Sequence, residues 1–145
     1  MEQSLVSQIF AERSLESTAR TAAATGATID SVNFQSLTFL IDVTSVSTET
    51  TVKIQHSDDN ANWEDIKRDD AVFYDDGIYY DPVFPDTVAN QQFQWGYIGK
   101  KRYVRLNYES GDSTLGAIHV LGHPERVPTI GERASKQFPD YPYSV

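Results

Sequence analysis

The sequence predicts an all-β chain: a single antiparallel β-sandwich, jelly-roll-like, with extended N- and C-terminal arms. Three observations predict it. Apolar residues recur with period two in several short runs, clusters of Asp, Asn, Gly and Ser separate those runs, and helical periodicity is almost missing. The 145 residues suit one domain. A chain of that length buries roughly 68–70% of its unfolded surface, which is enough for a core without covalent staples.

The first 24 residues are polar, with scattered Leu5, Val6, Ile9, Phe10 and Leu15. Leu5 and Ile9 stand four apart, which suits a short helix. The segment then runs into Ser, Thr and Ala, and Thr21 to Thr28 has linker composition. Residues 1–30 therefore read as an N-terminal arm, and removal of residues 1–24 is expected to leave a folded domain that assembles less well. From Ser36 the period is two: Leu37, Phe39, Ile41 and Val43 alternate with Thr38, Leu40 and Asp42. Val52 and Ile54 repeat the pattern between Thr51 and His56. The Ser/Thr-rich stretch between them, Thr44 to Thr50, has the length of a hairpin connection. Ser57-Asp58-Asp59-Asn60 reads as a turn, because Asx side chains bond their own backbone and tolerate the left-handed region. Trp63 and Ile66 return the chain to the core.

Residues 67–91 form a long excursion. Asp75-Asp76-Gly77 turns, Ile78-Tyr79-Tyr80 suits a short strand, and Pro82 and Pro85 interrupt any ladder. Phe93, Trp95 and Tyr97 then alternate, and Gly99-Lys100-Lys101 turns. Val104, Leu106 and Tyr108 share one face of the next strand, and Glu109 to Asp112 turns again. Leu115 to Leu121 is apolar on both faces and so reads as a central strand, ended by His123-Pro124. The β-sandwich domain spans 31–124, and residues 125–145 form a Pro-rich C-terminal arm. The predicted core is Leu37, Phe39, Ile41, Val52, Ile54, Trp63, Val104, Leu106, Ile118 and Val120.

Charge and composition narrow the function. A net charge of −9 argues against nucleic acid as a partner, since phosphate binding relies on Lys and Arg. No apolar run approaches the ~20 residues of a membrane helix, so no membrane partner is expected. Without cysteine there are no disulfides, thiolate metal sites or cysteine nucleophiles. Met1 to Phe10 lacks the basic start and apolar middle of a signal peptide. Residues 57–86 hold ten acids and two bases, net −8, whereas residues 87–145 hold five acids and seven bases, net +2. That asymmetry suits either a solvated acidic loop or complementary edges of neighbouring subunits.

Residues with chemical potential fit structural roles better. His119 and His123 are four apart but on a strand, so they share no helical face, and a zinc site would need a third ligand from His56 or a carboxylate. Hydrogen-bonded structural histidines are the simpler reading. Asp58, Asn60, Asn62 and Glu64 resemble the start of a calcium loop, but Trp63 replaces the required glycine and Asp69 stands where the closing glutamate belongs. Gly96-Tyr97-Ile98-Gly99 is too short for a nucleotide site. No nucleophile elbow or phosphate loop is present, and no catalytic residue, metal or cofactor is expected.

Aromatic residues reach 12%. Tyr74, Tyr79, Tyr80 and Phe84 lie in the acidic excursion; Phe138, Tyr141 and Tyr143 lie among prolines in the tail. Such residues either fold back on the domain or fill pockets on a partner, where aromatics dominate binding energy. With Leu5, Ile9 and Phe10 of the arm, and Lys100, Lys101, Arg126 and Arg133 as counter-charges, they form the expected interface set. Arg102 and Arg105, three apart on a strand, are expected on opposite faces, with at least one pairing bidentately with a carboxylate.

Four stretches carry a resemblance. Lys53-Ile54-Gln55-His56-Ser57-Asp58-Asp59 with Asn62-Trp63-Glu64-Asp65-Ile66 resembles the "QHSDDG-x-NWEDV" segment of small tailed-phage virion structural proteins. Gly96 to Arg105 resembles their "GYxGxKRYVR" strand, and Val120-Leu121-Gly122-His123-Pro124 their closing "VLGHP". Ser17 to Thr21, Ile29-Asp30 and Ser36 to Val43 follow their N-terminal half in order. The resemblance spans about residues 15–128 except Asp69 to Asn90. The chain departs from it at Asn60-Ala61, where a turn glycine is usual, and in its longer tail.

The resemblance implies a non-enzymatic virion protein of the phage head, assembled in the host bacterial cytoplasm. Its role would be that of a capsid decoration or cement protein, with the major capsid protein and neighbouring copies of itself as partners in a homo-oligomeric array. A head–tail connector or minor tail protein is the alternative within that class. A carbohydrate-binding β-sandwich, stacking excursion aromatics on sugar rings, is the alternative outside it.

Overall fold

The computed structural model describes residues 9–67, 70–73 and 83–124. Among them, nine strands form one antiparallel sheet, with no α-helix. The strands are β1 (Ile9–Arg20), β2 (Ala24–Thr25), β3 (Ile29–Asp30), β4 (Phe34–Ser57), β5 (Glu64–Asp65), β6 (Ala71–Phe73), β7 (Val83–Phe84), β8 (Ala89–Tyr97) and β9 (Tyr103–Pro124). The main order is β1-β9-β4-β8-β6; β2 and β3 also pair with β9, and β5 and β7 with β4. The all-β expectation holds.

Two long strands organise everything else. β4 and β9 pair along their whole lengths, from Phe34 opposite Pro124 to Ser57 opposite Tyr103. Midway the register slips repeatedly between Val43 and Val52. On β9 the matching position is Gly111, with φ of 124°. A Cβ there would lie 2.3 Å from Thr50 Oγ1 and 2.6 Å from Thr50 Cα, so only glycine fits. Such bulges bend a strand and change which side chains point inward. On β4 the buried set passes from Leu37, Phe39, Ile41 and Val43 to Val46, Thr50, Val52 and Ile54. On β9 it passes from Val104, Leu106 and Tyr108 to Ser113, Leu115, Ala117, His119 and Leu121.

Bent at these bulges, the sheet folds over and its two halves meet. The Tyr97 hydroxyl, on the residue opposite Leu37, lies 2.8 Å from Nδ1 of His56 near the other end of β4. The rings of Phe84 and Phe93, opposite Thr50 and Ile41 respectively, are 4.9 Å apart. The Ala27 N–H donates to the Ser14 carbonyl at 3.0 Å. One apolar core fills the space between, with Trp95, Phe39, Ile41, Ile54, Leu106 and Tyr108 fully buried.

Several expectations are thereby corrected. The hairpins expected within the sandwich are replaced by one continuous folded sheet. Thr44–Thr50 and Glu109–Asp112 are bulged strand, not chain reversals. Residues 9–20 of the expected arm are β1, and two further short strands, β2 and β3, follow within residues 21–30. Seven of the ten predicted core residues are buried, but Val120 is half-buried and Ile118 exposed, because the Gly111 bulge shifts the inward parity of β9 by one. Trp63 is also only half-buried; it lies beneath the Arg105 guanidinium, 4.1 Å from its ring centroid. β9 does lie centrally, between β1 and β4. Leu5, the 75–80 turn and strand, and the tail past Pro124 lie outside the described residues.

Candidate interaction surface

The residues left out of the core define an outer face. There the register aligns Arg13 of β1, Ile118 of β9, Leu40 of β4 and Gln94 of β8 in one row, beside a row of Gly116, Asp42 and Gln92. Together they line an open groove of about 670 Å³. Its floor, on β4 and β9, carries the half-buried Leu40 and Ile118, 41% exposed, beside Gly116 and the exposed Asp42. β1 supplies one wall through Arg13, Glu16 and Ser17, and β8 supplies the other through Gln92 and Gln94. Two register shifts in β1 between Arg13 and Thr18 bring Ser17 down onto β9, so that a Cβ at Gly116 would lie 2.7 Å from Ser17 Cα. An apolar centre with a hydrogen-bonding rim is the anatomy of a protein-recognition surface, and the volume lies in the range of a binding cleft.

The expected interface residues fall elsewhere or outside the described residues. Phe10 is 4% exposed and meets Phe34 edge-on at 5.4 Å; Phe84 is likewise buried against Phe93. Both lie on strands with hydrogen-bonded neighbours, so the domain's own core takes them and they are corrected from the interface set. Ile9 is half-buried opposite Gly122. Lys100 is exposed in the β8–β9 link. Lys101 forms ion pairs with Glu64 and, at 3.4 Å, with Asp58. Leu5, Tyr79, Tyr80, Arg126, Arg133, Phe138, Tyr141 and Tyr143 lie outside the described residues. Placing Ile118 in the core hides the groove from the sequence; its one signal there is that the last strand is apolar on both faces.

Two of the stretches that carry the resemblance meet in space. His56 bonds Tyr97, Glu64 pairs with Lys101, Arg105 stacks on Trp63, and both Arg105 Nε and Nη2 donate to Gln55 Oε1 at 3.0 and 2.8 Å. This seam joins the end of β4 and β5 to the β8–β9 link. Arg102 donates twice to Asp30, at 2.9 and 2.8 Å, the bidentate pair anticipated for one of the two arginines. In the turn, Asn60 has φ of 59°, and the Asp59 carboxylate accepts from the N–H groups of Asn62 and Ala61. Those bonds, with Asn62 and Ser57 side chains, hold its carboxyl far below the usual range. Asp59 is thus engaged within its own loop. Among the described residues no group of three His or acidic side chains could hold a metal ion.

The two described histidine side chains are both hydrogen-bonded. Ser14 Oγ lies 2.6 Å from Nδ1 of His119, and the Glu12 carboxylate 3.9 Å from its Nε2. This Ser–His–Glu set, assembled from β1 and β9, was invisible in sequence order. Ser14 and His119 are 4% and 3% exposed, and their bond ties β1 to β9. At the seam, the Lys101 N–H donates to Tyr97 Oη at 3.1 Å. All three groups are satisfied when the Tyr97 O–H donates to His56 Nδ1 and the ring proton sits on Nε2, 3.5 Å from Glu64.

Burial holds the His56 imidazole below its ordinary 6.5, against the pull of Asp70, Glu64 and Asp58 and with the aid of Lys101. The unfolded chain therefore takes up this proton first as pH falls. The contribution to stability is whole above about pH 6.5 and is lost progressively below it. The urea midpoint is expected to be lower at about pH 5.5 than at about pH 7.5, with a smaller difference in His56→Gln. An unchanged difference in that variant would assign the effect to another group.

No protein-family model matches the chain, and no curated protein matches it. Two solved structures do. SPBc2 prophage-derived protein YomS is 16% identical with a TM-score of 0.54, over 79% of this chain and 93% of that one. PBSX exported protein XepA is 19% identical with a TM-score of 0.54, over 99% of this chain. The chain spans 44% of XepA. Likeness at these identities is likeness of fold.

Proposed function

We propose that the chain is a non-enzymatic structural protein of a tailed-phage virion, a capsid decoration or cement protein that bridges major capsid subunits. The observation that carries this reading is the outer groove. The interior of the folded sheet is filled by its own side chains, while Leu40 and Ile118 face outward beside Asp42, between walls that carry Arg13, Glu16 and two glutamines. The phage origin of YomS and XepA supports the setting, as do the virion-protein-like segments at the seam. Repetition over a shell supplies avidity, so each groove contact can be modest.

The test is retention on purified particles. Ile118→Asp is expected to lower retention at least about tenfold, with stability changed by no more than about 0.5–1 kcal/mol, since the side chain is on the surface. Retention should fall only in part with added salt, because the apolar floor is unscreened. Copy number then separates a shell-wide decoration protein from a single connector ring. Wild-type retention by the variant would remove the groove from this account, and binding to glycans with none to particles would replace it with the carbohydrate reading.

A further inference from the structure

We propose that the seam is an acid-operated latch: protonation of His56 releases the β8–β9 link, Ile98 to Arg102, while the β4–β9 ladder stays paired. The inference goes beyond the proposed function, since it concerns the chain alone and holds whatever the protein binds.

The link is held at few points. The Ile98 N–H donates to the Asp70 carbonyl at 2.7 Å, and the Lys101 N–H donates to Tyr97 Oη at 3.1 Å. The Lys101 ammonium pairs with Glu64 and Asp58. Gly99 backs onto the Tyr97 ring, where a Cβ would lie 2.5 Å from Cζ. Ile98 is 59% exposed and Lys100 is exposed, so apolar burial adds little to this hold. A segment with so few buried contacts can open without the rest of the domain.

A proton count shows how acid acts on it. With His56 neutral, Tyr97 Oη accepts the Lys101 N–H and its own O–H donates to His56 Nδ1, 2.8 Å away. An imidazolium carries a proton on both nitrogens. Nδ1 then also donates to Tyr97 Oη, and the tyrosine hydrogen loses its acceptor. Among the described residues no other acceptor contacts that hydroxyl. His56 and Tyr97 are each 6% exposed, so the closed seam leaves a buried donor unmatched.

The charges around the ring come from every element packed on it: Glu64 of β5, 3.5 Å from Nε2, Asp58 of the turn, Asp70 ahead of β6, and Lys101 of the link. Glu64 and Asp58 are already engaged by Lys101. Burial outweighs the pull of the carboxylates, so the closed ring resists the proton. Swinging the link out wets the ring and removes the opposing charge of Lys101. The open state therefore takes up the proton near the ordinary 6.5, and opening grows below that pH by up to about tenfold per pH unit.

Amide exchange of the full chain, divided by the intrinsic rate at each pH, reads the opening. Protection of the Lys101 amide is expected to fall about three- to tenfold between about pH 7.5 and about pH 5.5, while amides of the β4–β9 ladder stay better protected at both. His56→Gln, whose side-chain oxygen can accept the Tyr97 hydrogen but cannot titrate, should abolish the fall. Tyr97→Phe removes the hydroxyl and should bring Lys101 protection at about pH 7.5 down to the acid level of the wild type, which keeps the test open if His56→Gln does not fold. A wild-type fall under about threefold, a fall that persists in His56→Gln, or unchanged protection in Tyr97→Phe would overturn the latch. Lys101 protection equal to that of the ladder would overturn it as well, since the whole domain would then be opening at once.

Discussion

Removing residues 1–24 is expected to unfold the domain. The segment holds β1, which pairs with β9 from Ile9 opposite Gly122 to Arg20 opposite Ser113. Phe10 and Leu15 lie in the core, and Ser14 supplies both the hydroxyl bonded to His119 and the carbonyl bonded to Ala27. At the far end the Tyr108 hydroxyl donates to the Arg20 carbonyl at 3.1 Å, and the Arg20 guanidinium to the Leu115 carbonyl at 2.9 Å. Truncating one buried Phe or Leu typically costs about 2–5 kcal/mol, against a total stability of roughly 5–15 kcal/mol. Deletion removes two such residues and the ladder, and leaves β9 with an apolar edge open to aggregation. Circular dichroism and a urea melt decide the matter. A truncated chain with the native spectrum and midpoint would show that β1 adds nothing, whereas Leu15→Ala, expected to lose about 2–5 kcal/mol, grades the effect in the full chain.

β1 was illegible for a local reason. Its inward residues do not keep period two, because register shifts between Arg13 and Thr18 put Ser14 and Leu15 both inside, and Glu16 to Ala19 are exposed. What read as linker is an edge strand with a bulge. The central strands were legible because Leu37, Phe39, Ile41 and Val43, and Val104, Leu106 and Tyr108, face the core at an unbroken period of two. Their connection was not. Ser/Thr-rich and Gly-containing stretches report a backbone that can depart from the ladder; they do not say whether the chain reverses there or two paired strands bend together. Reading Glu109–Asp112 as a hairpin loses the parity count across Gly111, and Ile118 and Val120 are then placed inside. The same slip conceals the groove, since it turns the floor residue Ile118 inward. The motif segments were legible as a pattern, yet their meaning, a seam closed by His56, Tyr97, Glu64 and Lys101, depended on a fold-over that no local signal records.

Replacing Gly26 with alanine should cost roughly 3 kcal/mol or more, at the upper end of what overpacking does. Gly26 lies in the short link between β2 and β3, where the two folded halves of the sheet come together. A Cβ at this position would lie 2.0 Å from the Leu106 carbonyl oxygen and 2.9 Å from that of Ser14. Neither can retreat freely. Leu106 sits on β9 opposite Ile54 of β4, and the Ser14 carbonyl accepts the Ala27 N–H at 3.0 Å. The Gly26 N–H donates to Asn107 Oδ1 at 3.2 Å, and Asn107 Nδ2 donates to Gln55 Oε1 at 2.8 Å. Gln55 Oε1 also receives Arg105, which covers Trp63. Moving the link outward to admit a methyl group would therefore break the contact between halves and loosen the polar chain beneath the seam. Thr25→Ala, one residue away and exposed, is the control and should change stability by no more than about 0.5 kcal/mol. Urea denaturation of both variants makes the comparison. A loss under about 1 kcal/mol in Gly26→Ala, smaller than a typical overpacking penalty, would mean that the β2–β3 link shifts at little cost and does not clamp the two halves together.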